Sequence, residues 1–495
     1  MTAKTIDDQP ATAATPSLRR ELRFPETAAL SIGVMAPTLA MSVTGIAAAT
    51  ELGRAAPLAF VFAGLGVGLV AYGFVRLAAE FSHAGSVYAF VGNALSPRVG
   101  FVAGWILLGT YLVFPPVSIM GIATFGRAFL HSTGLADDAD WFPIALAGWA
   151  AIWLLAALGI RPTTRFLLVF EIVSVLLILV LVVAIYVRLA AGTRSATGGG
   201  GLSGEVFTLP PGVGVSTLAL AATSGFLAFA GFESAASLGE ESLAPRRAIP
   251  RAIVTSVVFG AVFYVACMVA QSLGFGTDAA GVAAFRGSEA PLGDLADHYV
   301  GSTLATLLDA GAVLSAVGAG LGGVIVAARM MFAFGRDGLA DRRLGDVTPR
   351  TRVPTRALAL EMVISLVLLV SFRLAGTPAL NVFFYLATLG VLCLLVMYVL
   401  TNLAAAWHLS RRSWHEVVLP LTGTAVAGFV LYHNIWPVPA PPYRYFPYAV
   451  AGWIILGLAI TIAVPGFVAR VSCGLALRAD STPGPGIPPP LETPR

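Results

Sequence analysis

The sequence predicts an all-α integral membrane protein with twelve transmembrane helices, and three observations support this fold class. First, 57% of the 495 residues are hydrophobic and only 11% are charged, whereas soluble domains carry roughly 25% charged residues. Second, the apolar residues form continuous runs, and about 20 such residues suffice to cross the hydrocarbon core as a helix. Third, the cations fall mainly in alternate connections between the runs. The bilayer is therefore the expected solvent of the chain.

Twelve apolar runs are long enough to be membrane spans, which we number 1 to 12 in chain order. None shows the alternation of apolar and polar residues that strands of a membrane β-barrel require. The runs lie near 26–49, 55–79, 99–131, 141–160, 165–190, 212–239, 250–273, 299–335, 357–374, 378–407, 416–436 and 446–469.

The distribution of cations predicts the orientation, because cytoplasmic connections of membrane proteins carry an excess of Lys and Arg. With the N-terminus in the cytoplasm, twelve crossings divide the 30 lysines and arginines into 23 cytoplasmic and 7 external residues. We therefore expect a multi-pass protein of the plasma membrane with both termini in the cytoplasm.

The ends of the chain differ from its apolar body. Residues 1–24 are mostly polar and contain no short apolar region with a cleavage site, so we expect a disordered cytoplasmic segment and no signal peptide. The tail, 473–495, is rich in proline and is also expected to be disordered. The membrane domain is predicted to cover 25–472.

Several classes of function find no support in the sequence. Cys267, Cys393 and Cys473 are scattered, which indicates neither a disulfide framework nor a metal site. The histidines show no ligand spacing, and no nucleophile lies at a recognisable distance from a base, so we expect no metal, no cofactor and no enzyme activity. The net charge is +4, but the charged residues lie in short clusters between the apolar runs and form no basic stripe. This argues against nucleic acid as a partner.

Two spans contain residues that interrupt a helix. Pro37 lies in the middle of span 1, where it removes a backbone donor and clashes with the preceding turn. Span 6 contains Gly225, Gly231 and the acid Glu233 near mid-depth. Irregular backbone at this depth is tolerated where it lines a cavity, and breaks at matching positions indicate a transporter site. The alternative is a simple kink at Pro37 and glycines that serve close helix packing.

Such breaks can hold a small charged solute. The N-terminus of a half-helix has unpaired N–H groups and a partial positive charge, which suit a carboxylate. The C-terminus of a half-helix has unpaired carbonyls, which suit an ammonium group. The zwitterion of an amino acid requires both kinds of group.

Four acids fall within spans, where a charge is costly and therefore needs a reason. Glu233 would carry a proton or order the site, or would simply bind freed backbone groups. Glu171 in span 5 would carry a proton, or would bond a neighbouring helix. Asp309 in span 8 would attract cationic groups from outside. Glu361 is one turn from Arg356, which favours pairing between the two at the inner edge.

Three segments are similar to the amino acid–polyamine–organocation superfamily of permeases, and the similarity runs from about Phe24 to the end of span 12. The first is Glu80 through Tyr88 with Gly100 through Trp105. The second is Phe229-Ala230-Gly231-Phe232-Glu233-Ser234 with Glu240-Glu241 and Pro245 through Pro250. The third is Ala328 through Leu339 with Arg352-Val353-Pro354.

The resemblance implies a five-plus-five inverted repeat, about 26–190 and 212–407, with broken helices 1 and 6 and two extra helices at about 416–469. It implies alternating access, with a substrate held between spans 1 and 6. Glu233 corresponds to a glutamate of the family in span 6. The resemblance also nominates these substrate-binding residues: Ala36, Pro37, Thr38, Met41, Phe226, Phe229, Ala230 and Gly231.

The chain departs from the family's pattern in the break of span 1 and in span 5. Many relatives have a glycine- and serine-rich break in span 1, whereas this chain has Ala36-Pro37-Thr38. Some proton-coupled relatives have a lysine in span 5, and the corresponding residue here is Ser174, one turn after Glu171 on the same helix face. Since this chain has no lysine there, the candidates for proton coupling or gating are acids within the spans, namely Glu233, Glu171 and Asp309.

Taken together, we predict a secondary transporter for amino acids or related amines in the lipid bilayer, with protons as the expected coupling ion, working by symport or exchange. A polyamine or amine carrier is the alternative within transport. A transporter-like sensor that binds without translocation is the alternative from another class.

Overall fold

The computed structural model describes residues 22–81, 86–158, 161–199, 201–239, 242–348, 353–464 and 466–472, with only the backbone described at 161–166. Within these ranges it contains helices, turns and one isolated bridge between Leu22 and Ser242, and no strand. The predicted all-α fold is confirmed. The segments 1–21 and 473–495, which make up most of the predicted disordered termini, and the acids Glu240 and Glu241 lie outside the described residues.

The α-helices follow the predicted runs closely, and six short 3-10 turns connect or extend them in the described part of the chain. The helices are α1 (Phe24–Met35), α2 (Pro37–Leu52), α3 (Ala56–Glu80), α4 (Ser86–Ala94), α5 (Pro97–Ser132), α6 (Trp141–Leu158), α7 (Arg161–Ala190), α8 (Val215–Phe229), α9 (Pro245–Phe275), α10 (Ala279–Gly287), α11 (Pro291–Tyr299), α12 (Ser302–Arg336), α13 (Thr355–Leu374), α14 (Ala379–Ser410), α15 (Val418–His433) and α16 (Phe446–Ala463).

Eleven helical segments of the described ranges are long and apolar enough to cross a membrane, which supports a multi-pass membrane protein. The first of them, Phe24–Glu80, is 57 residues long and contains α1, α2 and α3. It is interrupted between α1 and α2 and again by the 3-10 turn Gly53–Ala55. The connection after α9 forms two short helices, α10 and α11.

The long helices α5 and α12 pack along each other, and α3 packs along α9. On the far side of α5, helix α16 is attached by a pair of tryptophans. The indoles of Trp105 and Trp453 stack with 4.3 Å between ring centroids and 13° between planes. Each indole N–H donates to the backbone carbonyl of the other residue at 2.9 Å. Two reciprocal hydrogen bonds and a stacked pair make this a strong local attachment.

The predicted pairing of Glu361 with Arg356 is wrong. Arg356 Nη1 lies 2.6 Å from Asp346 Oδ2. Glu361 is fully buried and accepts a hydrogen bond from the Ser365 hydroxyl at 3.2 Å. Because Ser365 is one turn further along α13, a local hydrogen bond satisfies part of this carboxyl without any cation.

Candidate functional site

The first break lies between α1 and α2, at Ala36. Ala36 has φ 46° and ψ 61°, a left-handed conformation that costs an L-residue roughly 1–2 kcal/mol. Pro37 explains the location, because proline starts a helix readily but disfavours a helical conformation in the residue before it. The chain therefore ends one helix at Met35 and begins another at once.

The second break separates α8 from the 3-10 turn Phe232–Leu238. Ala230 leaves the helical region with ψ 128°, and Gly231 has φ 115°, which favours glycine. A Cβ atom on Gly231 would lie 2.9 Å from both the Met35 nitrogen and the Val34 carbonyl carbon. The backbone of the second break therefore contacts the end of α1, so the two breaks lie side by side.

The N-terminus of α2 is capped by side chains from two other helices. The Thr38 N–H donates to Glu171 Oε1 at 2.9 Å, and the Leu39 N–H donates to Ser315 Oγ at 3.1 Å. Glu171 lies on α7 and is 7% exposed, and it also interacts with the Ser315 hydroxyl on α12. Since Pro37 has no N–H, the donors of the first turn are all in use.

The 3-10 turn at the second break is capped by an acid of its own. The Gly231 N–H donates to Glu233 Oε2 at 3.1 Å. The hydroxyls of Tyr111 on α5 and Tyr398 on α14 donate to the same carboxylate at 3.0 Å and 3.2 Å. Glu233 is only 1% exposed. A carboxylate thus occupies the positive end of each interrupted helix, where an anion is stabilised.

A cavity of about 60 Å³ lies beside the two breaks. A single water needs roughly 10–15 Å³ of such space, so the cavity has room for a few waters or a very small solute. Its lining is mainly apolar, with the hydroxyls of Thr44, Tyr111 and Ser118 as polar side-chain groups. The lining residues are Val34, Met35, Ala36, Leu39, Ala40, Thr44, Tyr111, Phe114, Val117, Ser118, Leu227, Ala230, Ala319, Gly323 and Phe383.

Of the nominated substrate-binding residues, Ala36 and Ala230 line this cavity. Gly231 lies between the breaks, and Pro37 and Thr38 form the first turn of α2 behind the lining. Met41 is fully buried, and its carbonyl accepts a hydrogen bond from Gln271 Nε2 at 3.1 Å.

The remaining nominated residues are packed around the breaks or lie away from them. Phe226 and Phe229 are fully buried, and the Phe229 ring lies 5.1 Å from that of Tyr264. Asp309 is 5% exposed, and a Cβ on Gly293 of α11 would lie 2.9 Å from its Oδ1 atom. Asp309 precedes Ser315 by six residues, about 9 Å along a helix, so it lies away from the breaks.

Three residues that contact the nominated acids escaped the sequence analysis: Tyr111, Tyr398 and Ser315. The tyrosines carry a usable signal, because a buried tyrosine hydroxyl within an apolar span needs a partner and the spans offer few. Ser315 carries none, since small polar residues are common in membrane helices as packing elements.

The site can also be compared with known proteins. A sequence model described as amino acid permease matches residues 22–469. The low-affinity putrescine importer PlaP of Escherichia coli (strain K12) is 24% identical over 421 residues, which are 83% of this chain and 88% of that protein. The branched-chain amino acid permease BcaP of Bacillus subtilis (strain 168) is 27% identical, covering 70% of this chain and 73% of its own length. The cationic amino acid transporter 3, mitochondrial, of Arabidopsis thaliana is 25% identical, covering 68% of this chain and 55% of its own length.

Proposed function

The chain belongs to the amino acid permease family, and on that basis we propose that it is a proton-coupled secondary transporter for amino acids or closely related amines. The observation that carries the proposal is the contact between the two helix breaks, at Gly231 and Met35, beside one small cavity. Irregular backbone at the centre of membrane helices is tolerated where it lines a cavity, and breaks at matching positions indicate a transporter site.

The proposed architecture divides the segment Phe24–Glu80 into two crossings at the turn Gly53–Ala55, which brings the number of crossings to twelve. Repeats of five spans each, about 26–190 and 212–407, would be followed by two extra helices. Both termini would lie in the cytoplasm of a cell whose plasma membrane holds the protein. Spans 1, 2, 6 and 7 would move against spans 3, 4, 8 and 9 in alternating access.

Proton coupling is proposed for Glu171 on electrostatic grounds. Thr38 and Leu39 are adjacent on the first turn of α2, and Leu39 lines the cavity. A substrate carboxylate that takes the Leu39 N–H from the neutral Ser315 hydroxyl would lie next to the Glu171 carboxylate. Two like charges a few ångströms apart repel strongly in this environment. A proton on Glu171 removes the repulsion, so substrate and proton would enter together.

The cavity lining favours a substrate with a small or apolar side chain. Leu39, Phe114, Val117, Leu227 and Phe383 surround the space, and no acid of the described residues lines it directly. The name of BcaP, a branched-chain amino acid permease, agrees with this chemistry.

A second candidate, an amine carrier, is favoured by one observation: protein groups already occupy the first-turn donors of α2 and the Gly231 N–H. The carbonyl ends of α1 and α8 would then hold an ammonium group, with no carboxylate required. The putrescine importer PlaP is a relative of this kind by name.

The test is uptake into vesicles that contain the purified full chain. Labelled leucine, valine, arginine and putrescine would be compared, each with and without an inward proton gradient, and each in counterflow. We expect gradient-driven accumulation of an apolar amino acid. Accumulation of putrescine alone would favour the amine carrier, and binding without uptake or counterflow of any solute would contradict transport and favour a sensor.

A further inference from the structure

A second cavity lies at the C-terminal end of α12, away from the breaks, which contact the middle of that helix. Helix α12 ends at Arg336, and Gly338, with φ 71°, turns the chain back. The 3-10 turn Arg342–Gly345 then returns to the helix end, so closely that a Cβ on Gly335 would lie 2.6 Å from the Gly345 nitrogen. Backbone without side chains therefore forms the floor of a concave surface.

The segment that follows α16 supplies the other wall. Phe467 and Val471 are 3% and 0% exposed, and the Phe467 ring lies 5.1 Å from that of Phe101 on α5. These two residues anchor the segment and leave Arg470 exposed on its other side. Arg470 Nη1 donates to the Gly338 carbonyl at 2.8 Å. The guanidinium is thus fixed over the turn, with further N–H groups to offer.

The charge of this cavity is strongly positive. It has a volume of about 360 Å³ and is lined by Arg336, Arg342 and Arg470 together with glycines and one acid, Asp337. The Asp337 carboxylate accepts from the Tyr88 hydroxyl at 3.3 Å and lies 3.5 Å from Arg336 Nε. Burial raises the pKa of Asp337, and Arg336 and the Tyr88 hydroxyl act in the opposite direction. Three arginines against this one acid leave the lining with an excess of positive charge.

We propose that this cavity binds the phosphate group of an anionic phospholipid. Guanidinium groups present paired N–H donors that match phosphate oxygens, and three of them converge here. The cavity lies where the apolar helices α12 and α16 end, which is the level of lipid headgroups, and basic pockets at this level suit anionic lipids. Its volume falls within the range of ordinary ligand sites.

The experiment is native mass spectrometry of the full chain in detergent, titrated with phosphatidylglycerol or with phosphatidylcholine. Both lipids carry a phosphodiester, but the choline ammonium of phosphatidylcholine would be repelled by the three arginines of the cavity. We therefore expect one phosphatidylglycerol to bind at least about tenfold more tightly than phosphatidylcholine. Arg342→Gln and Arg470→Gln should each weaken phosphatidylglycerol binding by about tenfold. The double Lys variant, Arg342→Lys with Arg470→Lys, should bind phosphatidylglycerol more tightly than the corresponding double Gln variant. Lysine keeps the positive charge but lacks the paired donors of arginine.

The matched control is Arg411→Gln, which removes one exposed cation that lies over the Trp407 ring, outside this cavity. It should change binding less than about twofold. Equal binding of the two lipids, or unchanged binding by the double Gln variant in a protein that keeps its melting temperature, would overturn the proposal. A thermal-shift series with inorganic phosphate separates the sources: protection by phosphate without lipid selectivity would assign the site to soluble phosphate and overturn the lipid assignment.

Discussion

The two helix breaks have the same electrostatic arrangement but obtain it from different places in the chain. At the first break the capping carboxylate, Glu171, comes from α7, and Ser315 of α12 accepts the hydrogen bond from the Leu39 N–H. At the second break the capping carboxylate, Glu233, belongs to the turn itself, two residues after Gly231.

This difference has a mechanical meaning. A cap contributed by other helices lasts only while α2 keeps its position against α7 and α12. A cap contributed by the next residues travels with its own turn, whatever the neighbouring helices do. We therefore expect the cap of the first break to change when Glu171 binds a proton or when α2 moves against α7 and α12. The cap of the second break should stay the same throughout the cycle. The following predictions test that contrast, beginning with the largest effect.

Gly231→Ala should be the most damaging single change at either break. The new methyl group would meet the α1 backbone at 2.9 Å, and the residue would keep a φ of 115°. Strain and overpacking together should lower the unfolding free energy by about 3 kcal/mol. Thermal unfolding in detergent measures this loss of stability, and counterflow measures the accompanying loss of transport. Gly68→Ala is the control, because nothing lies within 4 Å of that position. Equal stability of the two variants would contradict contact between the breaks.

Glu171→Gln should separate the two kinds of transport. The amide keeps the shape of the side chain but cannot release a proton, so gradient-driven uptake should fall by at least about tenfold while counterflow persists. The control is Glu361→Gln, which neutralises another buried acid away from the breaks. Normal proton-driven accumulation by the Glu171 variant would show that this carboxyl does not couple transport to protons.

Tyr111→Phe and Tyr398→Phe should each remove one hydrogen bond from Glu233. A bond of this kind contributes about 1 kcal/mol or more, so transport should fall by roughly fivefold. Gradient-driven uptake and counterflow should fall together, because a fixed element is weakened and no proton step is lost. Tyr432→Phe, at an exposed tyrosine, is the control. A selective loss of gradient-driven uptake would instead place proton coupling at the second break.

Ala36→Gly should have the smallest effect and the opposite sign. Glycine adopts the left-handed conformation without strain, although it also increases the freedom of the unfolded chain. We expect the variant to be more stable by up to about 1 kcal/mol, visible as a small rise in melting temperature. A lower melting temperature would mean that the Ala36 methyl packs more favourably than its backbone strain costs.

Much of this arrangement could be predicted from the sequence, because local rules dictate it. Pro37 predicted the end of α1, and Gly231 with Glu233 predicted the irregular part of span 6. Acids within apolar runs are rare enough to identify Glu171 and Glu233 without coordinates. Their roles in transport remain predictions.

The partners of these residues could not be predicted, because they depend on packing between distant helices. Nothing in the local sequence connects Ser315 with Leu39, which are 276 residues apart. The error at Glu361 has the same origin: spacing along α13 suggested Arg356, but the loop that precedes α13 brings Asp346 to that arginine instead. The sequence rules describe each helix well and say little about which side chains of other helices reach it.

The stacked indoles of Trp105 and Trp453 have a practical consequence for following the transport cycle. Two aromatic chromophores 4.3 Å apart and nearly parallel couple their electronic transitions. The protein therefore carries a native optical reporter, detectable by near-ultraviolet circular dichroism without any label. A signal that stays constant when substrate is added would mean that α16 and α5 move as one body, whereas its loss would reveal that they part.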